Sequence, residues 1–249
     1  MNGRTRADRF LVDHGYAKSR AEAQAAIRAG QVTVDGVVLK RPSQLIRDGA
    51  LIGYAPVHPY VSRGALKLIA ALEQFGFSPA ARSCLDIGAS TGGFTEVLLE
   101  RGAERVTAVD VGHGQMDPAL AADPRVQVCE GVNARQLEAS RVGRPQAIVV
   151  DVSFISLTLA LPPALALAAD RAWLVALVKP QFEVGREHIG RGGLVRDAAE
   201  GLAAAERVAL FVAQQPHWKI RGLIESPITG GDGNREYLLG AQKDDGGAG

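Results

Sequence analysis

The chain has 249 residues, of which 47% are hydrophobic and 22% are charged, and its formal net charge at pH 7 is +1. This composition excludes a disordered or fibrous protein and suffices for one large core plus a small additional domain. The longest apolar stretch, residues 157–169, contains Pro162 and Pro163 and is too short to cross a bilayer, so we expect no membrane partner.

Basic residues are concentrated near the amino terminus. Residues 1–48 contain nine arginines and lysines against five acidic residues. A local excess of this kind favours binding to nucleic acid, and ordinary solvated surface charge is the alternative interpretation.

The two cysteines, Cys84 and Cys129, lie far apart in apolar, strand-like surroundings. They lack the spacing of metal ligands, as do the five histidines, so we expect no metal. Buried, reduced thiols and the lack of an apolar leader are typical of a cytoplasmic protein. No pattern indicates an oligomeric state.

Residues 1–56 are predicted to form a small α+β unit. A helix near Phe10 is followed by a second helix, which Ser19 caps and in which Glu22 completes a capping box. The β-branched run from Val32 to Leu39 predicts a hairpin that turns at Asp35-Gly36, and residues 44–54 predict a further strand.

This order of elements resembles the S4-like RNA-binding domain. The matching segments are Arg6-Ala-Asp-Arg-Phe-Leu-Val, Ser19-Arg20, Ile27-Arg28-Ala29-Gly30 and Val34-Asp35-Gly36. The resemblance implies that the second helix and the hairpin turn face structured RNA, which is bound mainly through its backbone and shape. The candidate phosphate contacts in this unit are Arg4, Arg6, Lys18, Arg20 and Arg28.

Residues 57–62 are predicted to form a stiff linker, and residues 63–242 alternate between helical and strand patterns. The predicted helices span 65–75, 93–101, 160–169 and 198–214. The predicted strands span 83–87, 105–111, 126–129, 147–150, 172–178, 219–225 and 235–239. Such alternation indicates an α/β fold, with a mainly parallel sheet, helices on both faces and an antiparallel last strand. Residues 243–249 are predicted to be a disordered tail.

The most informative segment, Asp86-Ile-Gly-Ala-Ser-Thr-Gly-Gly-Phe94, follows a strand and opens a helix. Its glycine spacing matches neither a dinucleotide fingerprint, which disfavours an oxidoreductase, nor a P-loop. The pattern resembles the first motif of Rossmann-like S-adenosylmethionine-dependent methyltransferases. The resemblance implies that S-adenosyl-L-methionine contacts Asp86, Gly88, Ala89, Ser90, Thr91, Gly92, Gly93 and Phe94.

Two further residues follow strands of the same sheet. Asp110 comes about twenty residues after the glycine-rich turn, where an acidic side chain either accepts hydrogen bonds from ribose hydroxyls or starts the turn of a loop. Asn133 follows the next strand, where it either contacts adenine or forms a turn.

Four charged residues, Lys67, Asp151, Lys179 and Glu236, are predicted to meet at the rim of the sheet. The set resembles the catalytic tetrad of FtsJ-type ribose 2′-O-methyltransferases, in which Asp151 also adjoins the cofactor. The flanking segments Asp151-Val-Ser-Phe-Ile-Ser and Lys179-Pro-Gln-Phe-Glu resemble those of the TlyA (haemolysin A) family. That resemblance implies methylation of cytidine 2′-hydroxyls in ribosomal RNA, with ribosomal RNA or ribosomal subunits as partners.

A 2′-hydroxyl is a poor nucleophile until it is deprotonated, so the tetrad has to orient it and remove its proton. Lys179 is the candidate for contacting the hydroxyl, either as a base or as an orienting group. Phe154 is expected either to stack on the target base or to belong to the core. Arg63, Arg186 and Arg191 are further candidate RNA contacts.

A membrane-lytic protein and a non-catalytic RNA-binding factor are the alternative functions. The first is suggested by the haemolysin name of the family, and it conflicts with the lack of a basic amphipathic helix or a membrane span in the sequence. The second conflicts with the intact tetrad.

Overall fold

The computed structural model describes residues 4–55 and 58–245, and the chain divides into two compact units at the Pro59–Tyr60 boundary. Residue 57 of the predicted linker and residues 246–249 of the predicted tail lie outside the described residues. Within the described part of the chain, no helix combines the length and the apolar character needed to cross a membrane.

The described part of the amino-terminal unit contains two helices and five short strands. These are β1 (Arg4–Arg6), α1 (Ala7–Asp13), α2 (Arg20–Arg28), β2 (Val32–Val34), β3 (Val37–Val38), β4 (Leu45–Arg47) and β5 (Ile52–Tyr54). The strands form two antiparallel sheets, β1–β4 and β3–β2–β5. Residues 44–54 therefore hold two strands where one was predicted, and β1 was not predicted.

Local sequence signals shape this unit as predicted. Asp35 and Gly36 both have positive φ values, 50° and 80°, as a two-residue hairpin turn requires. At the start of α2, the Ser19 hydroxyl accepts a hydrogen bond from the backbone N–H of Glu22 at 3.2 Å. Phe10, Leu11 and Ile27 pack together in the core of the unit.

The carboxy-terminal unit is a seven-stranded α/β sandwich. Its elements are α3 (Gly64–Phe75), β6 (Ser83–Ile87), α4 (Gly93–Glu100), β7 (Arg105–Val109), α5 (Pro118–Ala121), β8 (Val126–Cys129), α6 (Ala139–Val142), β9 (Ala147–Val150), α7 (Leu157–Leu167), β10 (Trp173–Val178), α8 (Ala198–Ala213), β11 (Trp218–Glu225) and β12 (Tyr237–Lys243). The strand order is β11-β12-β10-β9-β6-β7-β8, and β12 runs antiparallel to both of its neighbours. The predicted fold class is confirmed.

Several boundaries differ from the prediction, and two of the differences have a clear structural cause. Helix α7 begins at Leu157 rather than residue 160, because the Ser156 hydroxyl accepts a hydrogen bond from the N–H of Thr158 and caps the helix. Lys243, the first residue of the predicted tail, is the last residue of β12 and pairs with Trp218 of β11. The disordered tail therefore cannot begin at Lys243.

Apolar layers cover both faces of the sheet. Helices α7 and α8 pack on one face and α3 and α4 on the other, and every residue of β9 and β10 is buried. Both cysteines are free, but only Cys84 is buried, and burial raises its pKa to about 12. Cys129 on the edge strand β8 is half-buried, contrary to expectation.

Helix α3 lies close to the sheet because its residue Phe75 packs directly against two glycines of the sheet. Gly222 of β11 and Gly240 of β12 are paired in register, and a Cβ atom on either would lie within 3 Å of the Phe75 ring. No real Cβ contact is that short, so larger residues there would push α3 away from β12. This close packing matters because α3 carries Lys67.

Candidate active site

The glycine-rich turn after β6 is shaped by contacts that only glycine permits. Gly88 has a φ of 84°, and a Cβ atom there would lie 2.2 Å from the carbonyl oxygen of Asp151. A Cβ atom on Gly92, where φ is 97°, would lie 2.5 Å from Leu120 Cδ1. The backbone of the turn can therefore run directly against the end of β9.

Asp86 supports this turn from behind. It is completely buried, and its Oδ2 accepts a 2.7 Å hydrogen bond from the Thr95 hydroxyl of α4. Burial raises the pKa of Asp86 to about 7, although the bonds from Thr95 lower it. Neither Asp86 nor Gly92 lines any of the three cavities described below, and their contact with the cofactor stays a prediction.

A cavity of about 710 Å³ opens beside the turn. Gly88, Ser90, Asp110, Asn133 and Asp151 contribute to its walls. The Asp110 carboxylate accepts hydrogen bonds from the backbone N–H groups of Ser90 at 2.8 Å and Gly112 at 2.7 Å. Asp110 thereby fixes the turn to the loop after β7 and faces the cavity at the same time.

Asn133 forms a turn and also faces the cavity. Its Oδ1 accepts a 3.0 Å hydrogen bond from the backbone N–H of Arg135, which starts the 3-10 turn Ala134–Gln136. The neighbouring Val111, Val132 and Leu159 give this end of the cavity an apolar lining.

A second cavity, of about 450 Å³, lies on the other side of the turn. Its walls include Ala89, Thr91, Gly93 and Phe94 from the turn and α4, together with Ser62, Arg63 and Lys67 at the start of α3. Asp151 and Ser90 line both this cavity and the first, so the two meet at the end of β9.

The structure brings the four charged side chains of the predicted tetrad together as two ion pairs. Lys67 Nζ contacts Glu236 Oε2, and both residues are buried. Lys179 Nζ lies 2.6 Å from Asp151 Oδ1 and donates a 2.9 Å hydrogen bond to the Ser153 hydroxyl. The four side chains come from the start of α3, the ends of β9 and β10, and the residue before β12.

The two pairs also act on each other electrostatically. Burial raises the pKa of Glu236, and the charges of Lys67 and Lys179 lower it while that of Asp151 raises it. Because Glu236 responds to the other three groups, the four form one cluster rather than two independent pairs. The cluster contains two positive and two negative groups.

A third cavity, of about 510 Å³, begins at Lys179 and Glu236 and is flanked by aromatic side chains. Phe154 is 91% exposed, so it does not belong to the core, and its φ of 64° is strained for a non-glycine residue. Its ring lies 5.1 Å from that of Phe182. An exposed aromatic residue held in a strained backbone conformation is a marker of a binding surface.

Glu183 connects the two loops that carry these phenylalanines. Its carboxylate accepts a 2.6 Å hydrogen bond from the Ser156 hydroxyl and a 2.7 Å bond from the backbone N–H of Leu157. Burial raises the pKa of Glu183. Ser153, Phe182 and Glu183 were not predicted as site residues, although all three lie within the segments that flank Asp151 and Lys179.

In the amino-terminal unit, Asp8 organises two of the candidate RNA-binding arginines. Its buried carboxylate contacts Arg6 Nε at 3.1 Å and Arg20 at 2.8 Å, and it accepts a 2.8 Å bond from Gln24. The Arg6 hydrogen bond holds the pKa of Asp8 well below its usual range. Both guanidinium groups remain half-exposed, and they are therefore held side by side at the surface.

The other candidate RNA contacts are placed separately. Arg28 donates a 3.5 Å hydrogen bond to Gln24, and Arg4 is exposed on β1. The backbone N–H of Lys18 donates to Glu22 at 2.8 Å. Arg186 and Arg191 are exposed on the 3-10 turns Arg186–His188 and Arg191–Gly193. Within residues 4–55 and 58–245, no group of three or more His, Cys, Asp or Glu residues could hold a metal ion.

Comparisons with known proteins agree with this two-unit architecture. A family model described as FtsJ-like methyltransferase matches residues 60–243, and an S4 domain model matches residues 5–52. The 16S/23S rRNA (cytidine-2′-O)-methyltransferase TlyA of Mycobacterium tuberculosis is 46% identical over 246 residues, which covers 96% of this chain and 90% of the relative.

Two proteins that are named as hemolysins are also similar to this chain. Hemolysin A of Brachyspira hyodysenteriae is 39% identical and covers 94% of this chain and 98% of its own length. A solved structure of a Streptococcus thermophilus protein described as a hemolysin superposes with a TM-score of 0.77. It is 40% identical and covers 98% of this chain and 90% of its own.

Proposed function

Because this chain belongs to the family of FtsJ-like methyltransferases that carry an S4 domain, we propose that it methylates the ribose 2′-hydroxyl of a cytidine in ribosomal RNA. The methyl donor in this proposal is S-adenosyl-L-methionine. The observation that carries the proposal is the convergence of Lys67, Asp151, Lys179 and Glu236 beside the glycine-rich turn.

The residues around the turn fit this cofactor. A Cβ atom on Gly88 would fill the space against Asp151, and the two cavities that meet there are large enough to hold the nucleoside and amino-acid parts of the donor. Asp110 and Asn133 line the larger cavity with polar groups, next to apolar walls suited to an adenine ring. When bound, the cofactor supplies an electrophilic methyl group on a sulfonium centre.

The tetrad prepares the nucleophile. An ammonium group has three N–H donors. Lys179 donates one to Ser153 and forms an ion pair with Asp151, which leaves a donor for the 2′-oxygen. Lys179 can take the hydroxyl proton only as it passes one of its own to the Asp151 carboxylate, so the pair gains one proton in all, while Lys67 and Glu236 balance the local charge. Held in this way, the oxygen attacks in line from a fixed position, which is the main contribution that positioning makes to catalysis.

The amino-terminal unit supports RNA as the substrate. Arg6 and Arg20 are fixed beside each other on Asp8 and keep exposed donor groups, which suits contact with phosphates of a structured RNA. Phe154 and Phe182, next to Lys179, offer aromatic faces to a base that has left its stack.

The test is methyl transfer to ribosomal subunits purified from cells that lack the gene, followed by mapping of 2′-O-methyl groups. We expect Lys179→Ala to reduce transfer at least about 1000-fold while RNA binding stays within a few-fold. Lys219→Ala is the matched control, because Lys219 is an exposed lysine paired with Asp244 on β11. Full activity in Lys179→Ala would contradict the assignment of the tetrad, and no 2′-O-methyl cytidine with wild-type protein would contradict the function.

A further inference from the structure

The third cavity is lined by polar residues that do not belong to the tetrad. Gln181 and Asp232 contribute to its walls together with Lys179, Glu236 and the two phenylalanines Phe154 and Phe182. Its volume of about 510 Å³ is sufficient for one nucleoside. A nucleotide whose ribose reaches Lys179 would therefore place its base in the cavity that Gln181 and Asp232 also line.

Asp232 is fixed in one orientation. Its Oδ2 accepts hydrogen bonds from Gln181 Nε2 at 3.2 Å and Asn234 Nδ2 at 2.9 Å, and its Oδ1 accepts one from the Asn234 backbone at 3.2 Å. Asn234 is itself buried and is held by Val195 N–H and Gly193 C=O, each at 2.9 Å. The carboxylate thus cannot turn away when a ligand enters.

This arrangement determines which group Gln181 offers to the cavity. An ionised carboxylate only accepts hydrogen bonds, so the amide nitrogen of Gln181 has to face Asp232. The amide oxygen, Oε1, is left buried without a hydrogen-bond partner among the described residues. A buried acceptor without a partner is costly, and a ligand that brings a donor removes that cost.

The chemistry of the bases then decides which one fits. Cytosine carries an amino group on C4, which donates hydrogen bonds, whereas uracil carries a carbonyl oxygen there, which accepts them. We propose that Gln181 Oε1, with its orientation fixed by Asp232, accepts a hydrogen bond from the amino group of the target cytosine and so selects cytidine over uridine. This inference rests on the proposed function and adds the residues that read the base.

The experiment compares ribosomal RNA substrates that carry either cytidine or uridine at the mapped position. We expect wild-type kcat/KM to favour cytidine by about 10- to 100-fold. In Gln181→Met, which keeps the length but removes the acceptor, methylation of cytidine should fall by about that factor while methylation of uridine changes little. Gln214→Met, an exposed glutamine at the end of α8, should leave the preference unchanged.

Asp232→Asn provides the outcome that a merely structural role would not produce. The asparagine can donate as well as accept, so the Gln181 amide is free to turn and present its NH₂ group to the carbonyl of uracil. Methylation of uridine should then rise above that of the wild-type protein. Binding of S-adenosylhomocysteine should stay within about twofold in both variants, which checks that the catalytic unit is folded.

Failure of this inference can be told from failure of the proposed function. Equal rates on cytidine and uridine with wild-type protein, or a wild-type preference retained in both variants, would overturn the role of Gln181 and Asp232 alone. A wild-type protein that methylates neither substrate would overturn the proposed function.

Discussion

The buried pair formed by Lys67 and Glu236 allows a quantitative test of the charge cluster. We consider Lys67→Met, Glu236→Leu and the double variant. Each single variant leaves one buried charge without its partner, which costs about 3–5 kcal/mol of unfolding free energy, whereas replacing both partners by apolar groups is often nearly neutral. The two single effects should therefore be strongly non-additive, with a coupling energy of at least about 3 kcal/mol.

The assay follows from where the tryptophans lie. The chain has two, Trp173 in β10 and Trp218 in β11, and both are buried in the carboxy-terminal unit. Tryptophan fluorescence during urea denaturation therefore reports the unfolding of that unit alone. The pair Arg101–Glu73 is the internal reference, because both side chains are exposed at a separation of 3.0 Å and should couple by less than about 1 kcal/mol.

A coupling energy between Lys67 and Glu236 no larger than that of the Arg101–Glu73 pair would refute the reasoning. It would mean that the two groups are solvated well enough to lose a partner without penalty. The charge balance that we propose for the tetrad would then lack its physical basis.

Three further predictions concern groups around the site. Gly88→Ala should weaken S-adenosylhomocysteine binding more than tenfold by calorimetry, since its Cβ would meet Asp151, whereas Gly114→Ala, also at positive φ but with open space around it, should change it little. The pKa of Asp86 lies near 7 in the folded protein and near 4 in the unfolded chain, so the unfolding free energy of the unit should fall by up to about 4 kcal/mol as the pH rises from about 4 to 7. Urea titrations at several pH values should show a smaller fall for Asp86→Asn than for the wild-type protein. An equal dependence on pH in both proteins would contradict this. Glu183→Gln replaces one of the two carboxylate acceptors by a donor and should lower kcat/KM for RNA about tenfold, while S-adenosylhomocysteine binding is retained. Loss of both methyl transfer and S-adenosylhomocysteine binding would contradict this local role and indicate general unfolding.

The parts of the fold that depend on local signals could be predicted from the sequence. The turn at Asp35-Gly36 and the helix cap at Ser19 involve residues only a few positions apart. Strand β1 was missed because its three residues show no periodicity of their own and are held by β4, some forty residues later. Short strands that are stabilised mainly by pairing with a distant segment cannot be predicted from local sequence patterns.

The same distinction applies to the site. The four tetrad residues could be located because each adjoins a recognisable strand or helix, and residues at that rim of the sheet converge. The motif located Asp86, but its burial and its bond to Thr95 could not be predicted, because they depend on how α4 packs against β6. Gln181 lies in the segment that begins at Lys179, but its role could not be predicted, because its contact with Asp232 spans 51 positions and the contact that holds Asn234 to Val195 spans 39.

The reversed direction of β12 determines which chemical group completes the active site. Asp151 and Lys179 directly follow the carboxyl ends of the parallel strands β9 and β10. The antiparallel pairing of Val178 with Tyr237 places the amino end of β12, and with it Glu236, next to them. A parallel strand at the same position would carry Glu236 to the opposite edge of the sheet, and Lys67 would then lack the carboxylate that now compensates its charge. The polarity of a single strand is thus what keeps the reaction centre electrically balanced.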